Sequence, residues 1–449
     1  MDMKPTHILI ALFSTLPYLF AASGTKAGVA KVEITPRGPI WMAGYAARTK
    51  PSEGASPIWA KALALQDSKG MTAVIVTTDL IGLPRSVTDV VAARVIEKYK
   101  LERNQIVFNS SHTHTGPVVA NNLWIMGPQE PVQKRIVEEY TNNLKDQLTT
   151  VIGAALGAMQ PAALAFDYGE VGFAINRRVV TPKEVLLDVN PAGPVDHKVP
   201  VLRVVAPNGQ VLAVLFGYAC HNTTLTAEFY TITGDYAGYA QAGVEKAFPG
   251  ATALFMQLCG GDQNPNPRSK PELAEQHGAA LAAEVGRVVK TKMQPVTGRL
   301  KSVYQTTELP FAPHTSEQYT KDLQDKNVFK QRRAAAMLAL YKEGREPRKL
   351  QYPVQVIRFD KGFTLVALGG EVVIDYSLWV QRTFAGERLM VAGYSNEVAC
   401  YIPSARVLRE GGYEAVDSMI YYGQPGPFTE EVEPRIQEAV TKAMSRVKK

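Results

Sequence analysis

Short apolar runs that end in polar, glycine-containing clusters recur along the chain, usually with a helical stretch to follow. Residues 72–78 run into Asp79, and 105–108 run into Asn109, Ser110, Ser111, His112, Thr113 and His114, closed by Gly116 and Pro117. Residues 211–219 end in Cys220, His221, Asn222 and Thr223, and 253–258 end in Gly260, Gly261, Asp262, Gln263 and Asn264. Two further runs, 364–368 and 388–392, end in Gly369, Gly370 and Glu371 and in Gly393, Tyr394, Ser395 and Asn396. Helical periodicity covers 86–99, 132–156, 237–248, 271–293, 316–344 and 430–447. The stretch 316–349, rich in Lys and Arg around an Ala-Ala-Ala-Met-Leu segment, reads as an amphipathic helix lying on the body with a solvated charged face.

This alternation predicts an α/β fold, a mixed β-sheet core with flanking helices in a single catalytic domain. Loops beyond the carboxyl ends of strands in open α/β sheets converge on one crevice, so six polar loops point to one shared active site. Proline and glycine near 191–194 and 424–427 read as loops, not linkers, and no internal repeat or low-complexity segment divides the 449 residues.

Composition bounds the function classes. With 46% apolar and 20% charged residues the chain can bury a large core, which excludes a disordered chain. The net charge of +7 is spread along the sequence, with no basic stripe interleaved with aromatics, so nucleic acid is not an expected partner. A basic amphipathic helix at 316–349 can instead sit on anionic lipid, which leaves peripheral membrane contact open. Lys4, an apolar run over 8–22 and the small residues Ser23 and Gly24 have the order of a secretory leader over 1–24. The run is too short to span a bilayer, which takes about 20 residues, and Pro17 interrupts it. The mature chain, 25–449, is therefore expected to be secreted or periplasmic. Cys220, Cys259 and Cys400 form no disulfide framework and read as small buried hydrophobes near the site.

Among the chemistry-bearing residues, His112 and His114 stand out because the chain has only seven histidines. A His-x-His pair alone reads equally as two metal ligands or as buried hydrogen-bonding partners. His221, which follows another strand, and Glu371, behind two glycines at a third, shift the balance. Two histidines and a carboxylate around an open position are the ligands of hydrolytic zinc sites.

Taken together, these segments resemble the catalytic region of the neutral, non-lysosomal ceramidases. The matching stretches are Gly28 to Pro36, Ser111 to Pro117, Ile175-Asn176-Arg177, His221 with Thr223, and Asp235 with Gly238-Tyr239. Gly261-Asp262 with Pro265-Asn266, Gly370-Glu371, Asn396 with Tyr401-Ile402, and Tyr413-Glu414-Ala415 follow in the family's order. The resemblance implies a zinc-dependent amidohydrolase of ceramide or a related N-acyl lipid, with one Zn2+ per chain held by His112, His221, Glu371 and Tyr401. Spacing alone reads Tyr401 as a core-packed residue. His114 would contact the substrate's oxyanion or support the ligands, while Arg177 and Tyr413 would donate hydrogen bonds to the substrate. Asp235 and Asp262 match family aspartates, but as strand-end carboxylates they read as well as caps or orienting groups.

Two departures bear on the substrate. Where the family carries a serine in its Gly-Asp-x-Ser-Pro-Asn segment this chain has Asn264, which has no hydroxyl to act as a nucleophile. Asn264 is expected to donate a hydrogen bond to substrate while zinc-activated water does the chemistry. The family's further β-sandwich domain is not expected within the 449 residues. A zinc hydrolase of another N-acyl compound, an ester or a sugar derivative is the second reading, and a catalytically silent binding protein on the same scaffold is the third.

Overall fold

A computed structural model describes residues 24–449; the leader expected over 1–24 lies, apart from Gly24, outside the described residues. The first sheet contains β1 (Lys26–Glu33), β2 (Trp59–Gln66), β3 (Thr72–Thr78) and β4 (Ile106–Ser110), in the spatial order β4-β3-β2-β1. α1 (Arg85–Tyr99) joins β3 to β4, which run parallel, and α2 (Pro131–Gly157) follows.

The chain enters a second sheet through β5 (Ala163–Glu170), forms a hairpin of β6 (Ala174–Val180) and β7 (Val185–Asn190), and returns as β8 (Lys198–Val205) and β9 (Val211–Tyr218). α3 (Asp235–Ala247) leads to β10 (Thr252–Gln257), parallel to β9, after which β11 (Gln263–Pro265) joins the hairpin. Beyond α4 (Pro271–Val289) comes β12 (Gln294–Pro310). α5 (Ser316–Asp322) and α6 (Val328–Lys342) precede β13 (Lys349–Lys361) and β14 (Thr364–Leu368). α7 (Ile374–Thr383) connects β14 to the parallel β15 (Leu389–Ala392), and α8 (Ala405–Glu410) and α9 (Val432–Lys448) follow. The order in this sheet is β10-β9-β8-β5-β12-β13-β14-β15.

Both faces of the central strands are apolar, and their two-residue alternation sorts them into layers. Leu63, Leu65 and Ile75 of the first sheet meet Leu215, Leu254 and Met256 of the second in one inter-sheet core. The opposite faces point outward. Val74 and Val76 pack with Val91 of α1 and Leu148 of α2, whereas Val214 and Phe255 pack with Val244 of α3 and Leu281 of α4. The result is helix, sheet, sheet, helix. α2 starts at Pro131, whose missing N–H costs nothing at a first helical position, and lies so close to β1 that a Cβ on Gly28 would stand 2.2 Å from the Ala155 carbonyl.

Three parallel pairs, β3/β4, β9/β10 and β14/β15, are the three strand–helix–strand units of the fold. Their six carboxyl ends are the six polar loops read from the sequence. The side-chain amide of Asn109, in β4, bonds the carbonyls of Gln257 at the end of β10 (3.1 Å) and Gly393 beyond β15 (2.8 Å), clamping three of those ends together.

Some elements differ from expectation. The helix expected over 316–344 is two helices: Asn327 accepts from the Phe329 and Lys330 amides and starts α6 anew. Nor is its charge simply a solvated face, since Arg333 is buried against Asp322 at 2.7 Å and Arg332 donates to the Ile125 carbonyl at 2.9 Å. α4 ends at Val289, four residues before the expected boundary, because the chain turns there into β12. The three cysteines are free and buried. Among the described residues no helix is long and apolar enough to cross a membrane.

Candidate metal centre and active site

The loop after β4 brings His112 and His114 into the crevice. His112 sits in the left-handed region at φ 63°, held by its own amide to the Leu80 carbonyl (2.8 Å) and by Nδ1 to the Ile81 carbonyl (2.6 Å). Asn222 fastens this loop to the one after β9: its amide nitrogen donates to the Ser111 carbonyl, and its own carbonyl accepts from the His114 amide at 3.1 Å. His221, next to it, places Nδ1 2.7 Å from the Gly260 carbonyl. Glu371 and Tyr401 face each other because Glu371–Val372 and Tyr401–Ile402 pair as short parallel strands.

All four residues expected as ligands come together. Glu371 Oε2 lies 2.9 Å from His112 Nε2 and 3.1 Å from His221 Nε2, and Tyr401 Oη lies 3.0 Å from His221 Nε2. His114 Nε2 stands 3.0 Å from His112 Nε2, so His112, His114 and His221 also form a three-histidine group compact enough to hold a metal ion. Glu371 Oε1 accepts from the Tyr422 phenol.

Burial and charge set the protonation of these groups. Burial pushes His221 down to about 3, helped by Arg177, and holds His114 well below its ordinary value, helped by its two histidine neighbours. Burial alone would raise the Glu371 carboxyl, but the His112 and His221 rings beside it outweigh that effect in the chain alone, so the group sits well below its usual range. Burial raises the Tyr401 phenol well above 10, Arg177 opposing, so the phenol is neutral in the chain alone.

The other expected site residues lie alongside. Arg177 donates from Nε to Glu414 (2.8 Å), from Nη2 to Tyr401 Oη (3.0 Å) and from Nη1 to Asn264 Oδ1 (3.1 Å), which leaves one N–H on each terminal nitrogen without a partner among the described residues. Asn264 Oδ1 also accepts from Thr223 Oγ1 at 3.3 Å. Because guanidinium can only donate, the oxygen of Asn264 must face Arg177, and its NH2 is left without a partner among the described residues. Tyr413 meets Tyr401 edge-on, ring centres 5.5 Å apart, with Arg177 over its ring.

Asp262 and Asp235 act as orienting groups. Asp262 accepts from the Ile374 amide (2.9 Å) at the start of α7 and from Asn176 (3.2 Å), and burial raises its carboxyl to about 7, Asp375 adding to the shift. Asp235 accepts from the amides of Leu225 (2.9 Å) and Tyr236 (2.5 Å).

Sequence reading missed several participants. Tyr422 steadies Glu371, and Tyr394 lays its ring 4.5 Å from that of His112. Tyr45 stands 4.9 Å from the His114 ring. Glu414 was legible only as part of a matching segment, yet it bridges Arg177 and Arg178. Tyr394 stands in the polar cluster after the 388–392 run but was given no role; Tyr422, Tyr45 and Glu414 end no apolar strand, the signal that exposed the histidines. Four residues beyond His114, Val118 begins the wall of a cavity of about 750 Å3, lined by Ala120, Trp124, Val137, Ala335 and Ala336 among others.

Comparison with known proteins shows the family and the fold. Residues 26–303 match the family model for the N-terminal part of neutral/alkaline non-lysosomal ceramidases. The chain is 26% identical over 334 residues to the neutral ceramidase of Pseudomonas aeruginosa, covering 69% of this chain and 48% of that protein. To neutral ceramidase A of Dictyostelium discoideum it is 26% identical over 228 residues, 46% of this chain and 31% of that one. It thus spans about half or less of the length of these relatives. The crystal structure of the Pseudomonas aeruginosa neutral ceramidase superposes with a TM-score of 0.73 at 20% identity, over 94% of this chain and 74% of the other. A ceramidase complexed with C2 superposes at 0.70, also at 20% identity, over the same shares.

Proposed function

The chain belongs to the neutral/alkaline non-lysosomal ceramidase family, and from that premise we propose that it is a zinc-dependent amidohydrolase cleaving the N-acyl amide bond of ceramide or a related N-acyl lipid. One arrangement carries the proposal. His112 and His221 each turn Nδ1 to a backbone carbonyl, which can only accept, so in its neutral form each ring carries its proton there and aims the Nε2 lone pair at Glu371 Oε2. Two lone pairs facing a carboxylate oxygen repel unless a cation lies among them. With Tyr401 Oη they make a set of two nitrogens and two oxygens that suits zinc, and the carbonyl partners are the outer contacts that ligating histidines ordinarily have.

His114 differs. Its Nδ1 is buried with no partner, so its proton belongs on Nε2, and the ring is a hydrogen-bond donor facing the centre, not a ligand. Zinc, when bound, supplies a Lewis acid for the acyl carbonyl and lowers the pKa of a water to about 7. The protein's part is donation and alignment. His114 Nε2–H, the remaining N–H groups of Arg177 and the Tyr413 phenol are the donors that would stabilise the oxygen that gains charge as the amide is attacked. Arg177 also faces Tyr401 Oη, which favours negative charge on that oxygen. Asn264 cannot be a nucleophile; its free NH2 is placed to orient the substrate.

The cavity that begins at Val118 sets an apolar wall of Val118, Trp124, Val137 and Ala335 beside Lys134, Glu138, Lys145 and Arg332, a lining that supports an amphiphilic N-acyl lipid over a sugar derivative. Asn264 favours a second reading in which the substrate is an N-acyl compound other than ceramide. An intact donor set argues against a silent binding protein. The amino-terminal pattern supports action outside the cytoplasm.

Purified protein is expected to contain about one zinc per chain, to lose hydrolysis of a short-chain fluorescent ceramide or of N-acyl amino acids on chelation, and to regain it with zinc. Protein that binds no zinc would overturn the proposal. Tyr422→Phe removes the hydrogen bond to Glu371 Oε1 and should weaken zinc affinity by about 10- to 100-fold, read by competition with a chromogenic chelator.

A further inference from the structure

We infer that the preferred substrates are N-acyl compounds whose head group carries a carboxylate, as in N-acyl amino acids, and that Arg268 is the residue that reads it. The inference rests on the hydrolase reading above and narrows its substrate class. Arg268 lies four residues beyond Asn264, in the loop before α4, and the next residue pins that loop to the one carrying His221 through the Ser269 amide and the Thr224 carbonyl (2.8 Å). Its Nη2 donates to Tyr45 Oη at 3.2 Å, and Tyr45 packs on His114, so the guanidinium stands one phenol's length from the centre.

What sets Arg268 apart is the absence of a counter-charge. Arg177 and Arg178 share Glu414, and Arg406 pairs with Asp375 and Glu410. Arg268 forms no ion pair with any described carboxylate, and its Nε is buried without a hydrogen-bond partner. The carboxylates nearest in charge form no ion pair with it: Asp235 is held by the Leu225 and Tyr236 amides, and Glu228 is exposed. Arg48, whose guanidinium lies 5.0 Å from the Tyr45 ring centre, adds a second charge without a carboxylate, since its donors go to the carbonyls of Ala43, His114 and Phe229.

The surroundings of His114 therefore carry two guanidinium groups that no described carboxylate pairs directly. A buried guanidinium nitrogen without an acceptor is costly, and a carboxylate satisfies Nε and a terminal nitrogen together in the two-pronged geometry that guanidinium favours. The free NH2 of Asn264, four residues earlier in the chain, adds a neutral donor. A hydroxylated neutral head group would leave the charge of Arg268 uncompensated.

The test compares N-lauroylglycine with N-lauroylethanolamine, which share an acyl chain and differ in the carboxylate. For the zinc-loaded wild type kcat/KM is expected to be about 10- to 100-fold higher for the glycine conjugate, the worth of one hydrogen bond to a charged group. Arg268→Gln should collapse that ratio toward one, mainly through a higher KM for the glycine conjugate, while Arg268→Lys keeps part of it. Calorimetric binding of N-lauroylglycine to wild type and Arg268→Gln, with circular dichroism to confirm folding, gives the same answer without turnover. Equal or inverted preference in the wild type, or equal loss of both substrates in Arg268→Gln, overturns the inference. Hydrolysis of short-chain ceramide with no preference for the anion sinks the inference alone. If neither conjugate nor ceramide is hydrolysed, the hydrolase reading fails, and the calorimetric comparison still decides the role of Arg268.

Discussion

His221→Ala should leave a folded protein that no longer retains zinc, with kcat/KM lower by at least about 10^3-fold, while His114→Ala should keep its zinc and lose about 10^2- to 10^3-fold in kcat. The contrast follows from what each ring does with its second nitrogen. His221 is fixed by the Gly260 carbonyl and spends Nε2 on the point shared with Glu371 and Tyr401, so its removal takes a ligand and leaves Glu371 Oε2 with His112 as its remaining histidine neighbour. His114 has no outer acceptor for Nδ1 among the described residues and therefore contributes a proton, not a lone pair, to the centre. Elemental analysis of the two variants beside the wild type, followed by kinetics at saturating zinc, separates the roles. Zinc loss in His114→Ala with retention in His221→Ala would invert the ligand assignment.

The parts of the site that could be read from the sequence are those at the carboxyl ends of parallel strands. There the chain itself changes from apolar to polar within one or two residues, as at Phe108–Asn109 and Ala219–His221, and the change survives in any view of the sequence. β12 and β13 escaped notice although they are the longest strands: their apolar positions alternate with polar ones and lead to no polar cluster. Tyr401 could be named only through family resemblance, because its place opposite Glu371 depends on a two-residue strand pairing across 30 positions. Tyr422 and Tyr45 had no signal at all. Their roles come from contacts to Glu371 and His114 that only the folded chain creates. The break between α5 and α6 was legible in principle, since Asp325-Lys326-Asn327 contains a good amino-terminal cap, but the helical periodicity on both sides masked it.

Glu414 links the stability of the fold to the chemistry of the site, and Glu414→Gln is expected to show the largest stability loss of any single substitution considered. The carboxylate is fully buried, accepting from Arg177 Nε at 2.8 Å through one oxygen and from Arg178 Nη1 at 2.5 Å through the other. Gln has nearly the same shape but no charge, so two buried guanidinium groups lose their shared counter-ion. Arg178 retains Glu410 at 3.0 Å, whereas Arg177 keeps only Tyr401 and Asn264. Breaking a buried pair in this way costs about 3–5 kcal/mol, which a shift in the urea midpoint at unchanged m-value would report. Burial by itself would raise the Glu414 carboxyl; Arg177 and Arg178 more than offset it and hold the group below its ordinary 4.5. A depressed carboxyl contributes its stabilisation in full above that ordinary value and loses it as pH falls through the lower folded value. Wild-type stability should therefore decline as pH drops below about 4.5, and the Gln variant, already without the charge, should show a shallower acid limb. Activity should fall as well, because Arg177 holds both Asn264 Oδ1 and Tyr401 Oη in place. A variant as stable as the wild type at neutral pH, with an unchanged acid limb, would mean that the Arg177–Glu414–Arg178 cluster is not what fixes Arg177 at the centre.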